Sequence, residues 1–305
     1  MKVTLDLNAL LAQGEITQAE FDKFNQFAAR GTTSLAFNIL IGFGVIAVSG
    51  ASLALVPSAS TAILLGVLVA GLGMSLISAG QTQWRVLANI CVLVGALLFG
   101  GGIVATGSGS VGSFLIVAAA FTGAGILARS GLLVACAVIA LSVSVGAGTW
   151  YRHASYFLAI QQPTVTVALF TSLAIMAYHI SKRIPNEYEG LALTAARTSV
   201  IFVNFGFWVG SLWGDRNQED NLLASSLTFS ALWAIALAVA WGWAWSQNRR
   251  WVVNVVAVFG ALHFYTQWFE RLGASAGSVL MAGMLALAFA IGLRTLNTKL
   301  TQEST

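Results

Sequence analysis

Polar side chains inside apolar segments are the residues of this chain that could carry out chemistry. Five of them stand in otherwise apolar runs: His179, Arg197, Asn204, His263 and Gln267. A polar group inside a membrane is costly, about 2.5–3.5 kcal/mol for an arginine at the centre of a helix, so it is a functional candidate by default. These five residues form the candidate intramembrane polar site, and no catalytic residue is predicted.

Arg197 is the strongest of these candidates. In the run LALTAARTSVIFVNFGFWVGSLW, Arg197, Asn204 and Ser211 follow at seven-residue intervals, which aligns them on one face of a helix. That face would meet other helices or a water-filled cavity, where Arg197 could contact an anion or a substrate. Alternatively, Arg197 lies about 10 Å from the end of its helix. It could then snorkel to the surface or pair with Glu187 or Glu189.

A second polar stripe occupies the stretch ALHFYTQWFERLG. His263, Gln267, Glu270 and Arg271 fall at positions i, i+4, i+7 and i+8, which is one face of a helix. Because histidine titrates near neutral pH, His263 could belong to a proton-coupled element. Alternatively, His263 makes a hydrogen bond to another helix, while Glu270 and Arg271 begin a loop.

His179 stands near the end of its apolar run. The short loop SKRIPNEYEG turns the chain back after it, so His179 and Arg197 could lie close together, although a histidine there could equally be an amphipathic anchor. The loops WYRHAS and GDRNQEDN make a metal site conceivable, but loop charges are usually solvated. Their candidate ligands are His153, Asp215, Glu219 and Asp220.

No enzymatic motif is visible in the chain. It contains no Ser/His/Asp order, no HExxH and no paired acids within the apolar runs. Cys91 and Cys136 lie in different runs, and two such thiols form neither a disulfide framework nor a metal site. We therefore expect a protein that is not an enzyme and has neither cofactor nor metal.

The composition indicates the elements that must position these residues. Of 305 residues, 57% are hydrophobic and only 9% are charged, whereas a soluble domain has about 25% charged residues. Apolar runs of roughly 20 residues, enough to cross a ~30 Å hydrocarbon core as helix, recur along the chain and are too long for barrel strands. They predict an all-α polytopic transmembrane bundle of about ten spans: 33–56, 59–80, 84–106, 110–128, 130–149, 163–181, 191–213, 222–246, 251–270 and 275–294.

The basic residues predict the orientation. If the N-terminus is cytoplasmic, eleven of the 15 lysines and arginines fall on the cytoplasmic side and three, Arg152, Arg216 and Arg271, on the outer side. This positive-inside bias predicts that both termini are cytoplasmic. It also accounts for the net charge of +4, so we expect the lipid bilayer as a partner and no nucleic acid.

The head of the chain, residues 1–31, is predicted to be a cytoplasmic amphipathic helical hairpin. Gly14 ends a leucine-lined first helix, which includes Leu5 and Leu7, and the capping box TQAE at 17–20 begins the second. The second helix carries Phe21, Phe24 and Phe27 at helical spacing and is expected to end by Gly31. The hairpin could dock on its own bundle, lie on the membrane surface or bind a protein partner.

The remainder divides by composition. Residues 32–149 form a Gly-rich half that holds 19 of the 31 glycines, 150–296 form an aromatic-rich half, and 297–305 form a polar cytoplasmic tail. Glycine lets helix backbones approach closely in a membrane. The GGG at 100–102 could alternatively break a helix, as in transporters.

Three segments carry a resemblance to a known family: LLAQGEITQAEFDKF, NICVLVGALLFGGGIVAT and ARSGLLVACAVIALSVSVGAGTWY. The chain resembles an uncharacterised family of prokaryotic multipass membrane proteins, domain of unknown function 2157. The resemblance implies a protein of the bacterial inner membrane and brings no known activity or site.

A weaker likeness is to the drug/metabolite transporters, which have ten spans and both ends inside. The tail FERLGASAGSVLMAGMLALA is similar to their ending, with Gly277 and Gly283 six residues apart, but the two halves show no visible sequence repeat. We predict a transporter- or permease-like bundle for a small solute. The alternative is a non-transporting scaffold whose N-terminal hairpin binds a partner.

Overall fold

The computed structural model describes residues 10–11, 13–80, 82–152, 155–216 and 221–302. Helices dominate them, with a 3-10 turn at Thr82–Trp84 and two short strand pairs. The helices are α1 (Gln18–Leu55), α2 (Ala59–Ser78), α3 (Arg85–Thr106), α4 (Val111–Leu127), α5 (Gly131–Ser144), α6 (Pro163–Ser181), α7 (Asn186–Trp213), α8 (Ser226–Ser246), α9 (Arg250–Leu272) and α10 (Ala276–Gln302). The strands are β1 (Ala147–Arg152), β2 (Ser155–Ile160), β3 (Asp215–Arg216) and β4 (Leu222–Ala224).

The prediction of an all-α bundle with apolar helices of membrane-spanning length is confirmed. Seven of the described helices are long and apolar enough to cross a membrane: Leu35–Leu55 within α1, and α2, α3, α6, α7, α8 and α9. The apolar parts of α4, α5 and α10 are shorter. The 14 residues of α5 rise only about 21 Å, less than the ~30 Å of a hydrocarbon core, so ten spans and their orientation stay a prediction.

The start of α1 agrees with the sequence pattern, but its length does not. Thr17 and Glu20 form the predicted capping box, and hydrogen bonds from the Thr17 backbone N–H and hydroxyl lower the pKa of Glu20. The expected helix end at Gly31 is wrong, because α1 continues to Leu55. One glycine costs a helix only about 1 kcal/mol, and the apolar residues that follow satisfy their backbone groups in a membrane only as helix. Leu5 and Leu7 lie outside the described residues.

The chain divides into two compact units. The first comprises Met1–Ser144 with Ile184–Thr194, and the second comprises Val145–Arg183 with Ala195–Thr305. Helices α1 to α5 belong to the first unit, and the C-terminal part of α7, α6 and α8 to α10 belong to the second.

Glycines bring α2 and α3 into close contact in the first unit. A Cβ at Gly66 would lie 2.8 Å from the carbonyl oxygen of Gly95, and one at Gly73 would lie 2.7 Å from that of Ala88. The predicted packing role of the glycines is therefore confirmed. The alternative of a broken helix at the GGG of 100–102 is wrong, because α3 runs unbroken through it.

A buried asparagine in α1 holds the start of α3. Asn38 is 2% exposed, its Nδ2 donates to the carbonyl oxygen of Gln83 at 2.7 Å, and its Oδ1 accepts from the backbone N–H of Leu87 at 3.2 Å. It thereby satisfies an N–H of the first turn of α3, whose own N-cap residue, Trp84, makes no side-chain hydrogen bond. This role was not predicted from the sequence.

An antiparallel hairpin opens the second unit. Strands β1 and β2 pair from Ala147 with Ile160 to Arg152 with Ser155, and the first of these pairs is buried against Val209 on α7. The fifth predicted span, 130–149, is therefore wrong at its end, because α5 ends at Ser144. Gly146 has a positive φ of 81° and interrupts the helix, and the β-branched and aromatic residues that follow favour strand.

Candidate functional site

A lateral groove in the second unit is the candidate site. Its volume is about 690 Å³, within the usual range of ligand pockets, and α6, α7, α8 and α9 line it. The buried side chains of Phe207, Phe229 and Trp233 lie along its floor. Exposed lining residues lie on α6 and α8, for example Ala168 and Ala236, so these two helices form its open edges.

Three of the five polar side chains that line the groove are hydrogen-bonded within the protein, among them Asn204 and Ser172. Asn204 is 7% exposed, its Oδ1 accepts from Trp233 Nε1 at 2.9 Å, and its Nδ2 donates to the carbonyl oxygen of Val200 at 2.8 Å. The hydroxyl of Ser172 donates to the carbonyl oxygen of Ala168 at 2.8 Å. A lining of this kind suits an apolar ligand, because a polar ligand would lose water without gaining equivalent partners.

His263 lies beneath the groove and contacts α8. Its ring is perpendicular to that of Trp233 with centroids 5.0 Å apart, and its Nε2 lies 3.1 Å from the carbonyl oxygen and 3.2 Å from the hydroxyl of Ser230. The structure thus connects two of the five candidate residues, Asn204 and His263, through Trp233. The hydrogen bond from His263 to another helix, one of its two predicted roles, is present.

Gln267, one turn beyond His263, differs from it in hydrogen bonding. Its Nε2 is buried and finds no hydrogen-bond partner among the described residues, while the neighbouring Thr266 hydroxyl accepts from Trp208 Nε1 at 3.1 Å. Glu270 and Arg271 are exposed at the end of α9. The polar stripe of α9 therefore divides into a buried part and an exposed part.

Arg197 lies at one end of the groove rather than inside it. Its guanidinium carbon lies 5.4 Å from the ring centroid of Trp251, and its side chain is exposed. Glu187, one of its two proposed acidic partners, instead forms a 2.9 Å salt bridge with Arg129. Both side chains of that pair are about half exposed, so it contributes at most about 1 kcal/mol.

His179 is exposed on α6, and its ring centroid lies 6.1 Å from that of Tyr178. The contacts described for His179 and for Arg197 do not join the two residues, and their proximity stays a prediction. Among the five candidates, the described contacts connect Asn204 with His263.

The expectation that the loop charges are solvated is wrong for Asp215. It is 2% exposed, and its Oδ2 accepts from the backbone N–H of Thr164 at 3.0 Å. This carboxylate stabilises the first turn of α6, where the N-cap residue Gln162 makes no side-chain hydrogen bond. His153, Glu219 and Asp220 lie outside the described residues, and within the described ranges no three His, Cys, Asp or Glu side chains form a metal-binding group.

We expect Asp215→Ala to lower the stability of the protein by about 1.5–3 kcal/mol, because the backbone N–H of Thr164 loses the charged acceptor that a buried carboxylate provides. The thermal unfolding midpoint in detergent measures the change. Asp215→Asn retains an oxygen acceptor without the charge and should cost less. Equal midpoints for Asp215→Ala and the unmodified protein would contradict the capping role.

Comparison of the chain with protein-family models, curated proteins and solved structures gives no match. The resemblance to the uncharacterised prokaryotic family therefore stays a prediction.

Proposed function

We propose that the protein is a permease-like integral membrane protein that takes a small, largely apolar solute into the groove of its second unit. The groove itself carries this proposal. It has the volume of a ligand pocket, its floor is aromatic, its lining is mainly apolar, and three of its five polar side chains are hydrogen-bonded internally. Its open edges on α6 and α8 would let a solute enter sideways from the bilayer.

We further propose ten spans in a bacterial inner membrane, with both termini cytoplasmic. The eleven-to-three distribution of basic residues supports this orientation, and the resemblance to the prokaryotic family supports the location. Single cysteines at Ala274, between α9 and α10, and at Thr305 test it in a variant without Cys91 and Cys136. A membrane-impermeant thiol reagent applied to intact cells should label the first and not the second, and the reverse labelling would contradict the orientation.

The groove is tested by filling it. We expect Ala236→Phe to weaken binding of an apolar fluorescent probe at least about tenfold, because the ring would occupy the space of the ligand and a 1.4 kcal/mol loss is a factor of ten. Titration of the purified protein in nanodiscs measures the affinity, and uptake of the same probe into proteoliposomes measures transport.

Ala234→Phe is the matched control, because Ala234 is exposed on the same helix and does not line the groove. It should bind and transport as the unmodified protein does. If Ala236→Phe also leaves binding unchanged, the groove is not the binding site. If it abolishes binding but the unmodified protein moves no probe, the protein binds without transporting.

A scaffold function is the second candidate, and Phe24 favours it. This side chain is 47% exposed near the start of α1, outside the apolar span Leu35–Leu55. A helix that exposes an apolar side chain outside its span could place it in a groove of a partner protein. Phe24→Ser should then remove a co-purifying protein while leaving the groove intact, and an unchanged set of co-purifying proteins would argue against the scaffold.

A further inference from the structure

The groove has the length of a lipid acyl chain within one leaflet. Along α8 its lining runs from Thr228 to Ala240, twelve residues apart, which is a rise of about 18 Å. One leaflet contributes about 15 Å, half of the ~30 Å hydrocarbon core. An extended acyl chain therefore matches the groove in length as well as in polarity.

One end of the groove carries a cation on an aromatic ring. Arg197 precedes the lining residue Val200 by one turn of α7, and Trp251 directly precedes the lining residue Val252 on α9. Since the guanidinium of Arg197 lies 5.4 Å from the Trp251 ring centroid, the pair stands where the apolar lining ends. The ring positions the cation without neutralising its charge.

A second cation and ring lie between the C-terminal ends of α6 and α8. Lys182 Nζ lies 4.3 Å from the ring centroid of Tyr178, which meets Trp243 edge-on at 5.9 Å. Arg249 and Arg250 are exposed where α9 begins. The end of the groove marked by Ala240 and Val252 therefore lies among basic and aromatic side chains.

The acidic side chains that the structure describes form no salt bridge with these cations. Among the described residues of the second unit, only Asp215 and Glu270 carry carboxylates, and neither forms a salt bridge with a basic residue. Asp215 is hydrogen-bonded at the opposite end, at the start of α6. Glu270 follows Trp251 by 19 residues on α9, a rise of about 28 Å. Since no salt bridge described for the chain, including its α7 acids Glu187 and Glu189, involves Arg197, the charge of Arg197 can meet an anionic ligand.

We infer that the ligand of the groove is an anionic membrane phospholipid, with one acyl chain in the groove and the acidic head group at Arg197. This inference rests on the groove being the binding site of the proposed function, and it makes the apolar group in the groove one acyl chain of a lipid instead of a small solute. A phospholipid fits better than a water-soluble anion because the lining is apolar over its length and open towards the side. Basic pockets between membrane helices bind anionic head groups in this way.

The test compares an anionic and a zwitterionic phospholipid with identical acyl chains. Each is titrated into the delipidated protein in detergent, and bound lipid is counted by native mass spectrometry. The unmodified protein should prefer the anionic lipid by about five-fold or more, the contribution expected from one basic residue near a head group. Arg197→Gln should remove the preference and retain binding of the zwitterionic lipid, while Arg197→Lys should restore most of it.

Arg271→Gln is the control, because Arg271 is exposed at the far end of α9 and should leave the preference intact. Equal binding of the two lipids, or a preference that survives Arg197→Gln, overturns the inference while the groove remains a binding site. Stronger binding of a free fatty acid than of the anionic phospholipid overturns the assignment to a phospholipid. If Ala236→Phe leaves binding of both lipids unchanged, the proposed function fails together with the inference.

Discussion

Gly95→Ala is expected to destabilise the protein by about 3 kcal/mol, at the upper end of the usual range for overpacking. The added Cβ would overlap the backbone nitrogen of Ala70 and lie 2.6 Å from the carbonyl oxygen of Gly66. Backbone atoms cannot rotate away as a side chain can, so α2 and α3 must separate. The thermal unfolding midpoint and the fraction of monodisperse protein in detergent measure the effect.

Gly101→Ala is the matched control on the same helix. A Cβ at Gly101 would meet nothing within 4 Å, and the residue is exposed. Because alanine favours a helix interior by about 1 kcal/mol over glycine, this variant should be as stable as the unmodified protein or slightly more so. If the two substitutions have equal effects, close backbone packing is not what these glycines provide.

Trp233→Ala is expected to cost about 3–5 kcal/mol, as for other buried large-to-small substitutions, and to disrupt the groove. The side chain is 0% exposed and packs in the core of the second unit together with Phe207 and Phe229. Its loss leaves the Oδ1 of Asn204 without its 2.9 Å donor and removes the ring that His263 contacts. Thermal unfolding measures the stability, and titration with the apolar probe measures binding.

Trp213→Ala is the control for loss of a tryptophan, because that side chain is 67% exposed on α7. It should change the unfolding midpoint little. Asn204→Ala separates the hydrogen bond from the packing and should cost less than Trp233→Ala. A Trp233→Ala protein with unaltered stability and binding would contradict the connection between Asn204, Trp233 and His263.

The existence of the helices could be predicted from the sequence because a long apolar run is visible in it. All ten apolar runs contain a helix, and the capping box at Thr17 and Glu20 begins α1 as its spacing indicates. The failures occur where two local tendencies compete. Gly31 did not end α1, whereas Gly146 and the residues after it did change helix to strand. Composition does not reveal which of these outcomes prevails.

The candidate site could be predicted only in part. Asn204 and His263 were recognised because a polar residue in an apolar run is visible in the sequence, and the structure connects them. Trp233, which connects them, looks like any other buried aromatic residue. Asn38 and Asp215 serve helices distant in the chain, so their roles depend on tertiary contacts that periodicity does not encode.

Photolabelling tests the central claim, that the groove of the second unit binds an acyl-chain ligand, most directly. A phospholipid with a diazirine on its acyl chain is reconstituted with the unmodified protein, irradiated, and the labelled peptides are mapped by mass spectrometry. We predict labelling concentrated on the groove-facing residues of α6 and α8, including Ala168 and Ala236, and its loss in Ala236→Phe. Labelling spread evenly over the lipid-facing helices of both units, and unchanged in Ala236→Phe, would contradict the claim.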